Sequence, residues 1–177
     1  MSLGLNKNEV KLVAYSEAWK EYFNQAKRDF ITHTNLSPTK IEHIGSTAIH
    51  GMMAKPIIDI AVGVEDITKL DKQFFNDLQE AGFLRLRVER PKEIVLARFT
   101  DNTYHIKTHF IHLGDIDGIL WKNLIFFRDY LNENESVRRE YLQLKLDYIK
   151  ESTTGINEYT NHNEAFVQRI FRLREDQ

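Results

Sequence analysis

The segment 56–64, with the sequence PIIDIAVGV, constrains the fold more than any other part of this chain. Its residues are almost all apolar, and such a short run is typical of a β-strand that other elements cover on both faces. Asp59 is the exception, because a carboxylate in a buried strand is costly unless its charge is compensated. The segment therefore predicts an internal strand with Asp59 as a candidate functional residue.

A predicted turn precedes this strand. Residues 40–44 are expected to form a strand that ends at Gly45-Ser46. Such a turn exposes backbone N–H groups, Ser46 and Thr47 add hydroxyl donors, and a short helix beginning there would favour an anion at its N-terminus. Lys55 adds a cation beside the same pocket. These residues predict a phosphate-binding site.

Asp59 is a hard oxygen ligand of the kind that Mg²⁺ prefers, and Mg²⁺ also holds phosphate oxygens. The same residues have a purely structural interpretation, with Gly45-Ser46 as a tight turn, Thr47 as a helix cap and Asp59 as a hydrogen-bonded core residue. Short motifs of this kind have a high false-positive rate. Both interpretations stay open on the local pattern alone.

Hydrophobic periodicity predicts the remaining elements. Strands are expected at residues 10–14, 83–88, 94–99 and 104–113. Helices are expected after Ser16, over residues 66–81 with Gly82 as the stop, and over residues 120–131, 136–150 and 158–173. Because short turns separate the last three strands, they are predicted to pair antiparallel. The order favours an α+β fold, a mixed sheet carrying helices with a C-terminal helical layer.

Composition narrows the classes of partner. The formal net charge is −2, so no overall basic field attracts nucleic acid, and a nucleic-acid partner is not expected. The chain has no cysteine, which excludes disulfides and thiolate metal sites. No apolar run reaches the roughly 18 residues of a membrane span, and no signal peptide is visible. We therefore expect a cytoplasmic protein without a membrane partner; the oligomeric state is not predicted.

Three histidines extend the candidate site. His43 immediately precedes the Gly-Ser turn, and His109 and His112 lie on a later predicted strand. If that strand lies beside Asp59, the cluster could bind Mn²⁺ or Zn²⁺ or supply a general base. Because His109 and His112 are three positions apart, a regular strand directs them to opposite faces. We favour His112 for the pocket because it lies at the strand's end near a loop; a structural or surface role is the alternative for each histidine.

The stretch 43–60, HIGSTAIHGMMAKPIIDI, resembles the signature of the GrpB-like family (UPF0157), a branch of the nucleotidyltransferase superfamily. It departs from that signature at His50, where proline is usual, and at Met52-Met53. Further similarities are found at His109 and His112, Trp121, residues 127–131, residues 141–145 and residues 159–167, although Asn163 stands where lysine is usual. The resemblance spans nearly the whole chain. It implies one domain over residues 1–177 with a nucleotidyltransferase-like mixed sheet.

The superfamily pattern places a second carboxylate two residues after the first, in D-x-[DE], because positions i and i+2 of a strand share a face and can clamp two Mg²⁺ ions. Here Asp59 fills the first position and Ala61 the second. One carboxylate leaves a metal site incomplete. The resemblance therefore implies a nucleotide-binding site whose catalytic ability is in question, with Mg²⁺ or Mn²⁺ expected at Asp59.

Several lysine and arginine side chains are candidates for binding phosphate. Lys55 and Lys145 fall within the matched family motifs and are predicted to bind phosphate. Arg98 and Lys107 lie outside those motifs and are weaker candidates. Arg128 is interpreted as part of a structural ion pair. Tyr141 and Lys145 are four residues apart on a predicted helix and therefore share a face.

Three functions remain in competition. The first is metal-dependent nucleotidyl transfer to a small acceptor, with Asp59 and His112 as catalytic residues. The second is a non-catalytic module that binds a nucleotide, a coenzyme A-related molecule or another phosphorylated small molecule through residues of the motif and Lys145. The third is a His/Asp metal-dependent hydrolase. A carboxylate such as Glu93 or Asp101 near Asp59 would favour the first function. Histidines as the only residues around Asp59 would favour the third, and Lys55 as the only partner of Asp59 would favour the second.

Overall fold

The computed structural model describes residues 3–7, 9–151 and 156–175. Within them, a six-stranded sheet carries five α-helices. The strands are β1 (Leu5–Asn6), β2 (Ile41–Ile44), β3 (Ile58–Val64), β4 (Leu84–Arg85), β5 (Ile94–Phe99) and β6 (Ile106–Asp115). The helices are α1 (Ala18–Thr34), α2 (Lys72–Glu80), α3 (Ile119–Glu133), α4 (Glu135–Glu151) and α5 (Ile156–Glu175).

The strand order is β2-β3-β6-β5-β4, with β1 paired to the start of β6. β3 and β6 run parallel, whereas the other pairs are antiparallel. The antiparallel pairing predicted for the last three strands is therefore confirmed, as is the mixed α+β sheet. The parallel pair places β6 directly beside the strand that carries Asp59, although α2, β4 and β5 lie between them in sequence.

The two faces of the sheet carry different residues, because side chains alternate along each strand. Ile58, Ile60 and Val62 point to the face that packs against α1 and α2, which we call the α1 face. They form one core with Trp19 and Phe30 of α1 and with the other residues of that cluster. The burial of nearly every position from Ile58 to Val64 confirms the prediction of a strand covered on both faces.

The opposite face carries Asp59, Ala61 and Gly63, and we call it the Asp59 face. The C-terminal helices lie on this side: Leu120 at the start of α3 lies against Gly114 of β6. A second core joins the segment after the Gly-Ser turn to these helices; it contains Ile49, Met52, Phe127, Leu131, Tyr141, Phe166 and Ile170. The predicted C-terminal helical layer is thus confirmed, and it packs on the Gly-Ser segment.

Several predicted boundaries were wrong. Residues 10–14 form no strand, because Val13 makes only an isolated bridge to Ala54. The helix expected over 66–81 is interrupted: Ile67–Lys69 is a single 3-10 turn, and α2 begins only after Asp71, whose side chain accepts a hydrogen bond from the Phe74 amide. The strand predicted at 83–88 is shortened to β4.

The predicted end of the second helix is confirmed. Gly82 ends α2 with a φ of 87°, the left-handed conformation that glycine adopts at helix ends. Among the described residues, no helix combines the length and apolarity that crossing a membrane would require.

Candidate functional site

The Gly-Ser turn lies directly against Asp59. Ile44, the last residue of β2, pairs with Asp59 in the antiparallel register, so the chain turns away beside the carboxylate. Gly45 has a φ of 68°, and a Cβ atom built on it would lie 2.6 Å from Asp59 Oδ2. Only glycine allows both this backbone conformation and this close approach. The sequence thus brings the predicted anion turn and the predicted carboxylate together.

Lys145 reaches the same turn from α4. Its side chain is 0% exposed, and its Nζ donates to the Met53 carbonyl at 2.7 Å and to Ser46 Oγ at 3.3 Å. The ammonium also lies 4.7 Å from the centre of the Tyr141 ring, as the shared helix face predicts. Burial, reinforced by the nearby charge of Lys55, lowers the pKa of Lys145 to about 7.

Lys55 supplies a second cation, close enough to interact electrostatically with Asp59 and Lys145. Its Nζ lies 4.5 Å from the centre of the Tyr159 ring. Burial lowers its pKa, and the Asp59 carboxylate acts in the opposite direction. No carboxylate of the described residues comes within ion-pair distance of Lys55 or Lys145. Lys145 therefore contacts Ser46, and Lys55 lies close enough to act on the charge of Lys145; neither amine has a directly paired anion among the described residues.

His112 lies between two carboxylates. Its Nδ1 bonds to Glu93 Oε1 at 2.6 Å, and its Nε2 lies 3.7 Å from Asp59 Oδ1, with 19% of its side chain exposed. Burial by itself would lower the pKa of His112, but the Asp59 and Glu93 carboxylates outweigh it and raise the pKa to about 9. An imidazole with a carboxylate at each nitrogen is stable as the doubly protonated cation.

His43 and His109 project from the opposite face. His43 stacks on Phe23 of α1 with ring centres 4.9 Å apart, and its Nε2 bonds to Thr47 Oγ1 at 2.9 Å. His109 is 5% exposed and bonds to Thr108. Burial lowers the pKa of each histidine to about 4.

His43 and Thr47 therefore brace the turn from behind, and the Thr47 hydroxyl is engaged by the imidazole. The opposite orientations of His109 and His112 follow the alternation expected from their spacing, and it is His112 that lies beside Asp59. Neither of the other two histidines lies on the Asp59 face.

The residues around Asp59 do not fit a two-metal centre. Ala61 stands at the second carboxylate position, and His112 directs its nitrogens at carboxylates rather than at open space. Throughout the described ranges 3–7, 9–151 and 156–175, no group of three histidine, aspartate or glutamate side chains is placed to hold a metal ion. Asp101 instead accepts hydrogen bonds from Thr103 in a turn.

Other charged residues singled out in the sequence have structural partners. Arg98 pairs with Asp29 of α1 and donates to the Ala81 carbonyl. Arg128 donates to Glu42 and to the His43 carbonyl, which ties α3 to β2 and agrees with the predicted structural ion pair. Lys107 lies over the ring of Phe110.

Glu93 is the site residue whose partner the sequence does not predict. The sequence suggests it as a neighbour of Asp59, whereas it contacts His112. Its position could be anticipated only from the strand register: Val95 pairs with His112, and Glu93 lies two residues earlier on the same side of the chain.

A model of the family described as GrpB protein matches residues 9–173. The chain belongs to the GrpB family. It is 42% identical over 169 residues to the glutamate-rich protein GrpB of Alkalihalophilus pseudofirmus, covering 95% of this chain and 97% of that protein. The crystal structure of GrpB from Enterococcus faecalis superposes with a TM-score of 0.78 at 27% identity, covering 92% of this chain and 95% of that one.

More distant structures share the fold of this GrpB-family chain. A cytoplasmic RNA terminal U-transferase matches with a TM-score of 0.50 at 18% identity, covering 75% of this chain and 41% of that one. The nucleotidyltransferase-like architecture implied by the sequence resemblance is thereby confirmed. At this identity the likeness concerns the fold alone.

Proposed function

We propose that this GrpB-family protein binds a nucleotide or another phosphorylated small molecule at the Gly45-Ser46 turn. The observation that carries the proposal is the buried amine of Lys145 at Ser46, with Lys55 close enough to act on its charge and no paired carboxylate for either amine among the described residues. Ser46 and the backbone N–H groups of the turn would donate to phosphate oxygens, and the two amines would supply positive charge.

The cost of burying these amines supports this choice of ligand. A buried ammonium without a counter-ion loses hydration that neutral carbonyl and hydroxyl partners only partly replace. The lowered pKa of Lys145, which burial brings to about 7, reflects that cost. A phosphate group at Ser46 would offset it, because it would pair with both amines at once. A neutral ligand would not.

Nucleotidyl transfer is the second candidate, supported by the placement of Asp59 beside the same turn and by the likeness of fold to a terminal U-transferase. In such a reaction an acceptor hydroxyl attacks the α-phosphorus, the bond to the β-phosphate oxygen breaks, and pyrophosphate leaves. Asp59 would accept the hydroxyl proton. The hydrolase alternative gains no support, since the metal ligands that it requires are missing in the part of the chain that the structure describes.

Calorimetric titration of the purified protein with nucleoside triphosphates, dephospho-coenzyme A and a sugar phosphate tests the binding proposal. Lys145→Met should weaken the binding of the tightest of these ligands roughly tenfold or more, as expected for the loss of a charge-assisted hydrogen bond. The methionine keeps most of the buried volume, so the fold is expected to survive.

Lys27→Met is the matched control. Lys27 also donates to a backbone carbonyl, that of Ile41 at 2.9 Å, and lies over an aromatic ring, that of Phe23, but it belongs to α1 on the other side of the sheet. It should leave ligand affinity unchanged. No binding of any phosphate compound by the native protein, or equal losses in the two variants, would overturn the proposal. Release of labelled pyrophosphate from the bound triphosphate would then separate transfer from binding alone.

A further inference from the structure

The position next to Asp59 is occupied by a histidine rather than by a second acidic residue. Ala61, two residues after Asp59 on the same face, is 1% exposed and pairs with His112 of β6 in the parallel register. The small alanine leaves room above it, and the His112 ring extends toward Asp59, with Nε2 at 3.7 Å from Oδ1. In a two-metal site, this region would hold a cation between carboxylates.

Glu93 determines the orientation of the His112 ring. Its side chain is 8% exposed, and it accepts a hydrogen bond from His112 Nδ1 at 2.6 Å, so Nε2 is directed at Asp59. Arg90 bonds to both oxygens of Glu93 from the exposed side and restrains the carboxylate. Nδ1 is hydrogen-bonded to the Glu93 carboxylate and Nε2 lies 3.7 Å from the Asp59 carboxylate, an arrangement that favours the imidazolium because only that form carries a proton on both nitrogens.

Together, the charges near the turn favour the binding of an anion. Without His112, a phosphate at Ser46 would face the carboxylate of Asp59, and repulsion between the two would require an intervening cation. The imidazolium beside Asp59 offsets this negative charge directly, and Lys55 and Lys145 are left to interact with the ligand. The protein itself thus provides the positive charge in this site. A metal ion would need a second carboxylate, and Ala61 stands in that position.

We infer that His112, oriented by Glu93, takes the place of a divalent metal ion in this site, so that the phosphate ligand binds without added metal. The inference rests on the proposed function, since it concerns the same pocket. Under it, Glu93 is a positioning residue: it contacts neither the ligand nor Asp59 and acts through the imidazole. Mg²⁺ would be present only where the nucleotide itself brings it.

The test is calorimetric titration of the full chain with ATP and with inorganic tripolyphosphate, each in excess EDTA and in excess Mg²⁺. We expect native binding in EDTA to be within about threefold of that in Mg²⁺. His112→Gln should weaken binding in EDTA roughly tenfold or more, with Mg²⁺ restoring part of the loss. His105→Gln, which changes an exposed histidine of the β5–β6 turn, should bind as the native protein does.

Glu93→Gln tests the positioning role, because the amide can still accept a hydrogen bond but carries no charge. It should reduce binding in EDTA less than His112→Gln does. Nitrogen-15 spectra of the imidazoles provide a readout independent of binding: both nitrogens of His112 should be protonated at neutral pH in the native protein, and the Nδ1 proton signal should shift in Glu93→Gln.

The outcomes separate the two proposals. Native binding in EDTA that His112→Gln weakens supports the inference. Native binding only in Mg²⁺, or a His112→Gln variant that binds normally in EDTA, overturns it and leaves the proposed function intact. No binding in either buffer overturns the proposed function and the inference with it.

Discussion

The two faces of the sheet shift the pKa of a histidine side chain in opposite directions. On the α1 face, His43 and His109 are packed against aromatic rings and threonine hydroxyls, and burial lowers the pKa of each to about 4. On the Asp59 face, His112 lies between two carboxylates and its pKa is raised to about 9. Residue type is therefore a poor guide to charge in this protein, and the face of the sheet decides it.

The difference has a physical cause in what each face packs against. α1 and α2 present apolar side chains, so a charged imidazole there would lose its hydration without gaining a partner. The Asp59 face retains acidic groups beside a turn whose glycine permits close approach. One face is thus a core that tolerates neutral histidine, and the other places carboxylates beside His112 that stabilise the cation.

The largest expected effect concerns the turn that separates these environments. Gly45→Ala should lower the free energy of unfolding by about 3 kcal/mol, because the methyl group combines left-handed backbone strain with a clash against Asp59. Gly51→Ala is the control: its φ of 71° is likewise positive, but no atom lies within 4 Å of the added Cβ. That variant should lose only about 1 kcal/mol. Equal losses in urea unfolding would show that the contact with Asp59 is unimportant.

The next effect is acid sensitivity of the α1 face. Because the folded pKa values of His43 and His109 lie near 4, below the unfolded value of about 6.5, their contribution is present above pH 6.5. It is lost as the pH falls toward 4, by about 1–2 kcal/mol for each histidine between pH 6.5 and 5. Urea unfolding at a series of pH values measures this slope.

His109→Gln removes one of the two titrating groups, so its stability should fall less steeply with acid than that of the native chain. An unchanged slope in this variant would contradict the assignment of a buried neutral histidine. The comparison uses the slope rather than the absolute stability, so any packing loss caused by glutamine does not obscure it.

The smallest effect has the opposite sign and belongs to the Asp59 face. His112 has a folded pKa of about 9, above its unfolded value, so its contribution is complete below pH 6.5 and is lost as the pH rises toward 9. We expect a loss of about 1 kcal/mol between pH 7 and 9, reduced by the partial exposure of the pair. His112→Gln should abolish this alkaline loss while retaining the acid loss. A native stability that is flat up to pH 9 would argue against the paired imidazolium.

Much of the secondary structure could be predicted because it is encoded locally. The apolar run of β3 and the helical periodicities of α3, α4 and α5 are properties of short windows, and all four elements are where the sequence places them. The failures also have local causes. The Asp71 cap interrupts a continuous helical pattern, and residues 10–14 lie beside the sheet with a single bridge instead of a ladder.

The candidate site was predictable in part. The motif from His43 to Asp59 indicates the turn and the carboxylate, and the family resemblance adds Lys145, which lies 99 positions after Ser46 and contacts it. The pairing of Glu93 with His112 was not predictable, because the register shift between Arg98 and Phe99 alters the alignment of β5 with β6. The placement of His43 behind the turn likewise depends on which face α1 covers.

By itself, the sequence determined that the strand carrying Asp59 is covered on both faces and that His109 and His112 face opposite ways, because side-chain alternation repeats every two residues along a strand. Only the tertiary structure decided which of the two faces holds Asp59 and its partners. That choice depends on the parallel pairing of β3 with β6, a contact between strands far apart in the chain. The hydrophobic pattern of the two strands favours the register once they pair, but no local pattern specifies which strands become neighbours.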